Sequence, residues 1–440
     1  MKLVVILIRG LQAGITGPYG NRWVETFSLN TLAVHGVVFD AFHAVHPAPE
    51  LSRQVFRSGC YHFPLSPGAP AFMGPYPDLL QSLHQQGVAT HLIVDGSRST
   101  FPGFQQGWQR VVEVPDSDAA VDAGRAYLSS AGASWLLMLD LAALIPPWSI
   151  PQPILDAYFS PPPVADEEEL DEDDEDEEDN EVEDDEDEED NEVEDDEDED
   201  APEADDNEEE LAEEKPLDPL VDPTPGTIPA DDDETYLRIR ETYAAAVSNV
   251  DRLLGDLLDG LPDDVHVLVT ADCGQSLGEH GLVGSLQPSL HAETVRVPLI
   301  LLGPGCRPGR RVEALTGTHD LAPTIAALAG TRLEGAHGQS LLALAGGENQ
   351  PLRDHLGLGV QVGEAIQWGL VTSDLTFILS VTDVTKRPEM YHKPDDAWEI
   401  HDVSLPHLDR LENLEASLRA YVEATRQGGQ LVRPPLDPWR

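Results

Sequence analysis

Residues 267–281 read VLVTADCGQSLGEHG. The run opens on four apolar or β-branched residues, the mark of a strand buried on both faces, and closes in a small, acidic, glycine-rich turn. Its aspartate, Asp272, stands at the carboxyl end of that strand, where an open α/β sheet places its chemistry. The next residue is Cys273, where a second hard ligand or a base would serve a catalytic turn better.

Working outward, similar apolar runs recur. KLVVILI (2–8), HLIVDG (91–96), WLLMLDL (135–141), HVLVTAD (266–272) and VPLILL from Val297 are candidate buried strands. Amphipathic stretches separate them. In residues 236–260, Tyr243, Val247, Val250, Leu254 and Leu257 recur at three- and four-residue steps and make one apolar stripe. A second helix is expected to start near Asp320, with Pro323 in its first turn, and to end at Gly330. Continuous apolar strands alternating with such helices predict an α/β fold, a mostly parallel sheet sandwiched by helices. Beyond residue 350 the pattern changes to short strands (WGLVTSD, LTFILSV, EMYHK) and a closing helix over 407–425, which predicts a small C-terminal α+β subdomain.

The net charge of −56 over 440 residues is unevenly spread. Residues 166–214 carry 38 of the 82 acidic residues and no basic one; the rest has 44 acids against 26 bases, an excess of 18. This tract contains a tandem repeat, DNEVEDDEDEE (179–189) then DNEVEDDEDED (190–200), between proline-rich shoulders. Self-repulsion and the lack of apolar residues predict a disordered acidic insertion. The expected organisation is residues 1–160 and 236–349 as two parts of one α/β domain, 161–235 as the insertion, and 350–440 as the C-terminal subdomain. No basic stripe exists to neutralise phosphates, so nucleic acid is not an expected partner. Leu3 to Ile8 is too short for a signal-peptide core, and no run is long enough for a membrane span. Three cysteines, Cys60, Cys273 and Cys306, form neither a disulfide framework nor a zinc pattern, and reduced thiols suggest a cytoplasmic protein.

Several segments together resemble the sulfatase family of the alkaline phosphatase superfamily. TADCGQSLGEHGLVG is similar to that family's T-S-D-H-G-E-S-L-G-E-H-G segment, and VRVPLILLGPG to its V-P-L-I-x-x-G-P-G strand. THDLAPTIAALAG followed by HGQSLLAL resembles its D-L-x-P-T-x-x-x-L-A-G and G-x-S-L-x-x-L run. VVILIRGLQAGITGPYGN, TFSLNTLAVHGVVFDAF and EMYHKPDDAWEIHDV fall along its other landmarks, and all six occur in family order. The resemblance implies an alkaline phosphatase-like hydrolase fold.

It also implies a chemistry that can be checked position by position. Sulfate and phosphate ester cleavage needs an in-line nucleophile, a metal on the non-bridging oxygens and cations at the leaving oxygen. In the family the nucleophile is a formylglycine made from the Cys or Ser of C/S-x-P-x-R, and the metal is usually calcium, a hard ion that takes several oxygen ligands. Matching ELSRQVFRSG to the family's P-S-R-x-x-x-x-T-G keeps Arg53 and puts Pro49 at the nucleophile and Leu51 at the motif proline. The paired acids after the first strand fall on Arg9 and Gly10, and the following arginine on Gln12. The D-H pair falls on Asp272 and Cys273, and a middle histidine, through LIPPW (144–148), on Ile145. Proline carries no nucleophile, and one carboxylate does not hold calcium.

The expectation is therefore a catalytically degenerate homologue, a pseudoenzyme with a binding or regulatory role and no cofactor, in which an Arg9–Asp272 ion pair replaces the metal. Two alternatives stand beside it: a sulfuric- or phosphoric-ester hydrolase with relocated ligands, using calcium, and an acidic scaffold for a cationic protein. Cys273 reads as a small buried residue and His280 and His291 as turn or surface residues rather than ligands. Asp320 reads as a helix-start acid.

Overall fold

The computed structural model describes residues 1–65, 76–98, 100–160, 217–284, 289–426, 431–434 and 436. The acidic insertion expected over 161–235 falls largely outside the described residues, and so do both repeats. The chain divides into two units, Met1–Phe159 with Asp218–Arg440, and Ser160–Leu217. The first unit contains every strand and helix of the described residues.

Eight strands form the main sheet: β1 Lys2–Ile8, β2 Val37–Phe39, β3 Ala89–Asp95, β4 Arg110–Val114, β5 Trp135–Leu141, β6 His266–Thr270, β7 Leu299–Leu302 and β8 Arg310–Val312. Their order across the sheet is β8-β2-β7-β6-β1-β5-β3-β4. All five apolar runs read from the sequence are strands of this sheet. The three strands added by the structure, β2, β4 and β8, are short and lie toward its edges. There a strand is covered on fewer sides and needs no continuous apolar run, and β4 is largely exposed. The pairing is parallel except where β7 runs antiparallel to both β6 and β2.

The helices flank this sheet. They include α1 Phe27–His35, α2 Pro49–Ser58, α3 Ser117–Leu128, α4 Asp233–Leu258 and α5 Leu321–Leu328. α4 starts three residues earlier than its apolar stripe because the Asp232 carboxylate caps it, accepting from the Thr235 amide. A four-stranded antiparallel meander follows: β9 His355–Val362, β10 Ala365–Thr372, β11 Leu375–Ser380 and β12 Glu389–His392. A helix, α6 Leu408–Arg426, packs on it through Leu411, Leu414, Leu418, Tyr421 and Val422.

The register of β1 positions the site. Leu7 pairs with Asp140 on one side and with Thr270 on the other. Arg9, Asp140 and Asp272 therefore emerge together at the carboxyl ends of three adjacent parallel strands, where such sheets carry their chemistry.

Candidate functional site

Two arginines and two aspartates meet at that sheet edge, and all four are buried. Arg9 donates from Nε to Asp140 Oδ1 at 2.7 Å. Arg53 reaches the same carboxylate from α2, Nη2 standing 2.7 Å from Oδ1 and 2.9 Å from Oδ2. Its Nη1 donates to Asp272 Oδ2 at 3.0 Å and to the Pro49 carbonyl at 2.9 Å. The other oxygen of Asp272 accepts the amides of Gly10, at 3.2 Å, and Cys273, at 2.8 Å. The Phe101 ring lies 4.1 Å from the Arg53 guanidinium carbon, a cation–π contact.

This corrects the expected Arg9–Asp272 pair. Arg9 pairs with Asp140, and the guanidinium on Asp272 is Arg53's. The crossing follows from the second carboxylate, Asp140, which competes for Arg9 from the neighbouring strand. Asp140 escaped the sequence reading, although one signal was present: a lone carboxylate inside the apolar run WLLMLDL.

The electrostatics are those of a closed set. Burial would raise the Asp140 carboxyl, but Arg53 and then Arg9 outweigh it and hold it below its ordinary value. Burial likewise works against the charged form of Arg53, and Asp140 and Asp272 hold it charged. Cys273 is pushed well above the usual thiol range, by burial first and by the Asp272 charge second. It is a neutral thiol, as a small buried residue should be.

The remaining sequence-matched positions converge on the same place. Pro49 is the first residue of α2, where its missing amide costs no helical hydrogen bond. Gly10 has φ +81°, a conformation that disfavours a side chain, and a Cβ there would stand 3.3 Å from Ile145 Cδ1. Gln12 turns away and donates to the Gln275 carbonyl at 2.6 Å and to Glu279 at 3.0 Å.

Asp320 belongs elsewhere. It is fully buried and binds Arg353 through two 2.6 Å contacts, joining the start of α5 to the chain just before β9. Burial opposes its charge, yet Arg353 pulls its carboxyl down to about 2. It is a structural lock in addition to its place at a helix start.

The histidines are more enclosed than expected. His280 and His291 stack with ring centroids 3.9 Å apart, and His291 is 8% exposed. Neither bonds to Asp272. Instead His280 Nδ1 lies 3.0 Å from Glu293 Oε1 and its Nε2 3.0 Å from the Glu399 carbonyl. Two acceptors around the ring favour its charged form; burial works against that, and Glu293 overrides it, bringing the pKa up to about 9. His291 Nε2 contacts Glu389 at 2.9 Å. His280, His291 and Glu293 each offer one donor atom within 4.8 Å of the others.

Fold and site together define an alkaline phosphatase-like α/β protein with its site at the carboxyl ends of β1, β5 and β6. The Sulfatase family model matches residues 146–331. Choline-sulfatase of Rhizobium meliloti (strain 1021) is 37% identical over 107 residues, 23% of this chain and 20% of that protein. Arylsulfatase K of Gallus gallus is 26% identical over 203 residues, covering 42% and 37%. The matched part therefore spans less than two fifths of either relative. Among solved structures, phosphonate monoester hydrolase of Agrobacterium radiobacter superposes with a TM-score of 0.66 at 16% identity, over 98% of this chain and 100% of its own. Over these stretches the chain is similar to members of the sulfatase family, and its fold is that of the sulfatase-like hydrolases.

Proposed function

We propose that this chain is a catalytically degenerate sulfatase homologue whose role is binding or regulation rather than ester cleavage. The observation that supports it best is the closed Arg9–Asp140–Arg53–Asp272 network. Calcium requires several oxygen ligands with lone pairs to give. Here both oxygens of Asp140 accept from guanidinium groups, and both oxygens of Asp272 accept from Arg53, Gly10 and Cys273. Two positive charges stand where the ion's charge is needed, so these residues do not fit a calcium centre. Pro49, at the position matched to the nucleophile, has no group to attack with.

The test is metal content and turnover together. The purified full-length chain is expected to hold no stoichiometric divalent ion after dialysis against calcium and to release no product from nitrophenyl sulfate or nitrophenyl phosphate. A bound ion at one per chain, together with turnover lost in Asp272→Asn, would overturn the reading.

The alternative, a hydrolase with relocated ligands, has one observation in its favour, the His280–His291–Glu293 group. Against it, both nitrogens of His280 already face acceptors, and His291 is held by Glu389. The same proposal carries a cytoplasmic location, supported by three unpaired cysteines. It also carries a cationic protein partner for the acidic insertion, supported by charge alone; capture of such a partner is expected to weaken sharply with salt. No helix among the described residues is long and apolar enough to cross a membrane.

A further inference from the structure

A cleft of about 700 Å³ opens beside the site, lined by none of its four network residues. Its walls include Trp23, Trp398 and Ile400, which are 42%, 54% and 69% exposed. Large apolar side chains held this open to water are unusual unless something covers them. Arg22, Arg240 and Arg296 line the same cleft. Among the described residues none of the three is in an ion pair: Arg240 lies 5.3 Å over the Tyr236 ring, and Arg296 donates at 3.4 Å to the Asp40 carbonyl.

The apolar rim is anchored through Glu399, which is held by Lys393, the Ala292 amide and His280. Glu399, between Trp398 and Ile400, has φ +59°, a left-handed conformation rare for any residue but glycine. The cost is offset by its buried carboxylate, which pairs with Lys393 at 2.9 Å and accepts the Ala292 amide at 2.8 Å. Its carbonyl faces His280. Below the rim, Gly14 leaves room for Trp398: a Cβ on Gly14 would stand 3.0 Å from the ring. Two carboxylates also line the cleft, but neither supplies a full countercharge. Glu293 is paired with His280, and burial, then Glu293, raises the Glu279 carboxyl above its ordinary value.

We infer that this cleft is a binding site for a small carboxylate or phosphate monoester carrying a flat ring. The guanidinium groups would take the oxyanion, whose planar or tetrahedral oxygens match their fork of donors, and the indoles would cover the ring. Such a site has the size and the mix of apolar wall and few polar anchors typical of ligand pockets. The inference deepens the binding role proposed above, and its success does not depend on the loss of catalysis.

The test titrates the full-length chain with benzoate and with phenyl phosphate, and with phenol and inorganic phosphate alone. Binding is followed by calorimetry and by tryptophan emission. Saturable binding of at least one ring-bearing anion is expected, and the stronger of the two identifies the oxyanion. Arg240→Gln should weaken it about tenfold, the loss of one charge-assisted hydrogen bond. Arg22→Gln, at an exposed position where folding is not at stake, should weaken it in the same sense. Trp398→Ala should reduce both affinity and the emission change. Three results would overturn the inference: no binding of either anion at millimolar concentration, phenol binding as tightly as benzoate, or inorganic phosphate binding as tightly as phenyl phosphate. An undiminished affinity in both arginine variants would do the same. Release of phenol from phenyl phosphate would instead overturn the degenerate-enzyme reading and leave the cleft assignment standing.

Discussion

Two charged regions lie side by side at this end of the sheet, and they are built on opposite terms. In the network, Arg9 and Arg53 face Asp140 and Asp272 out of contact with water, each guanidinium in an ion pair and each carboxylate oxygen engaged. In the cleft, Arg22, Arg240 and Arg296 stand among exposed indoles, without ion pairs to the described residues. Arginine in the first region is structural, because a buried charge must be matched within the protein. In the second it is available, because solvent and a ligand can share the task. The region the family resemblance marks as catalytic is thus the closed one, and the open one lies beside it.

The largest expected effect comes from opening the closed side. Arg53→Met leaves Asp272 without its arginine and Asp140 with only Arg9. A loss on the order of 3–5 kcal/mol in unfolding free energy is expected from urea denaturation, as for any buried pair broken on one side. A change under about 1 kcal/mol would mean that water already reaches these carboxylates. Arg9→Met should cost less, about 1–3 kcal/mol, because Arg53 still holds Asp140 through both oxygens. If the two variants are equally damaging, the network acts as one unit instead of two unequal pairs.

The regions should also part company with pH. Asp140, held low by its arginines, adds stability above the ordinary carboxylate pKa that fades only as acid protonates it. His280 on the cleft side runs the other way: raised to about 9, it stabilises fully below 6.5 and loses that contribution as pH climbs through about 9. Raising pH from 7 to 10 should therefore shift Trp398 emission, through the Glu399 carbonyl that His280 holds, before the thermal unfolding midpoint falls much. His280→Gln should abolish that shift; its persistence would detach the rim from the histidine.

Gly14→Val should have the smallest effect on stability, within about 1 kcal/mol, because the ring it meets is half exposed and can move aside. Its added bulk meets the Trp398 ring. Emission should move toward that of solvent-exposed indole and ring-anion affinity should drop, whereas the network stays intact. Unchanged emission would show that Trp398 does not rely on that gap.

The sequence was informative where one local rule decided the outcome. Five continuous apolar runs became strands of one sheet because only a sheet covered on both faces tolerates them. The three-four stripe of 236–260 became α4, and β10, β11 and β12 followed their short alternating pattern. Matching the chain to sulfatase motifs placed Arg9, Gly10, Pro49, Arg53, Ile145, Asp272 and Cys273 around one sheet edge, although they are up to 264 positions apart from Arg9 to Cys273.

What escaped was pairing across the fold. The choice of Asp140 over Asp272 for Arg9 depends on register, Leu7 opposite Asp140, and no local pattern in WLLMLDL states which neighbour it will face. The enclosure of His280 and His291 depends on Glu389 and Glu399 arriving from segments about a hundred residues further along the chain. The cleft depends on Gly14, Arg240 and Trp398, three residues with no motif in common. By itself the sequence determined the fold class, because apolar periodicity acts locally, and its motifs carried the sulfatase resemblance around Asp272. Only the tertiary structure decided which charges neutralise one another and which stay open, because Coulomb and hydrogen-bond partners are set by distance in space and not along the chain.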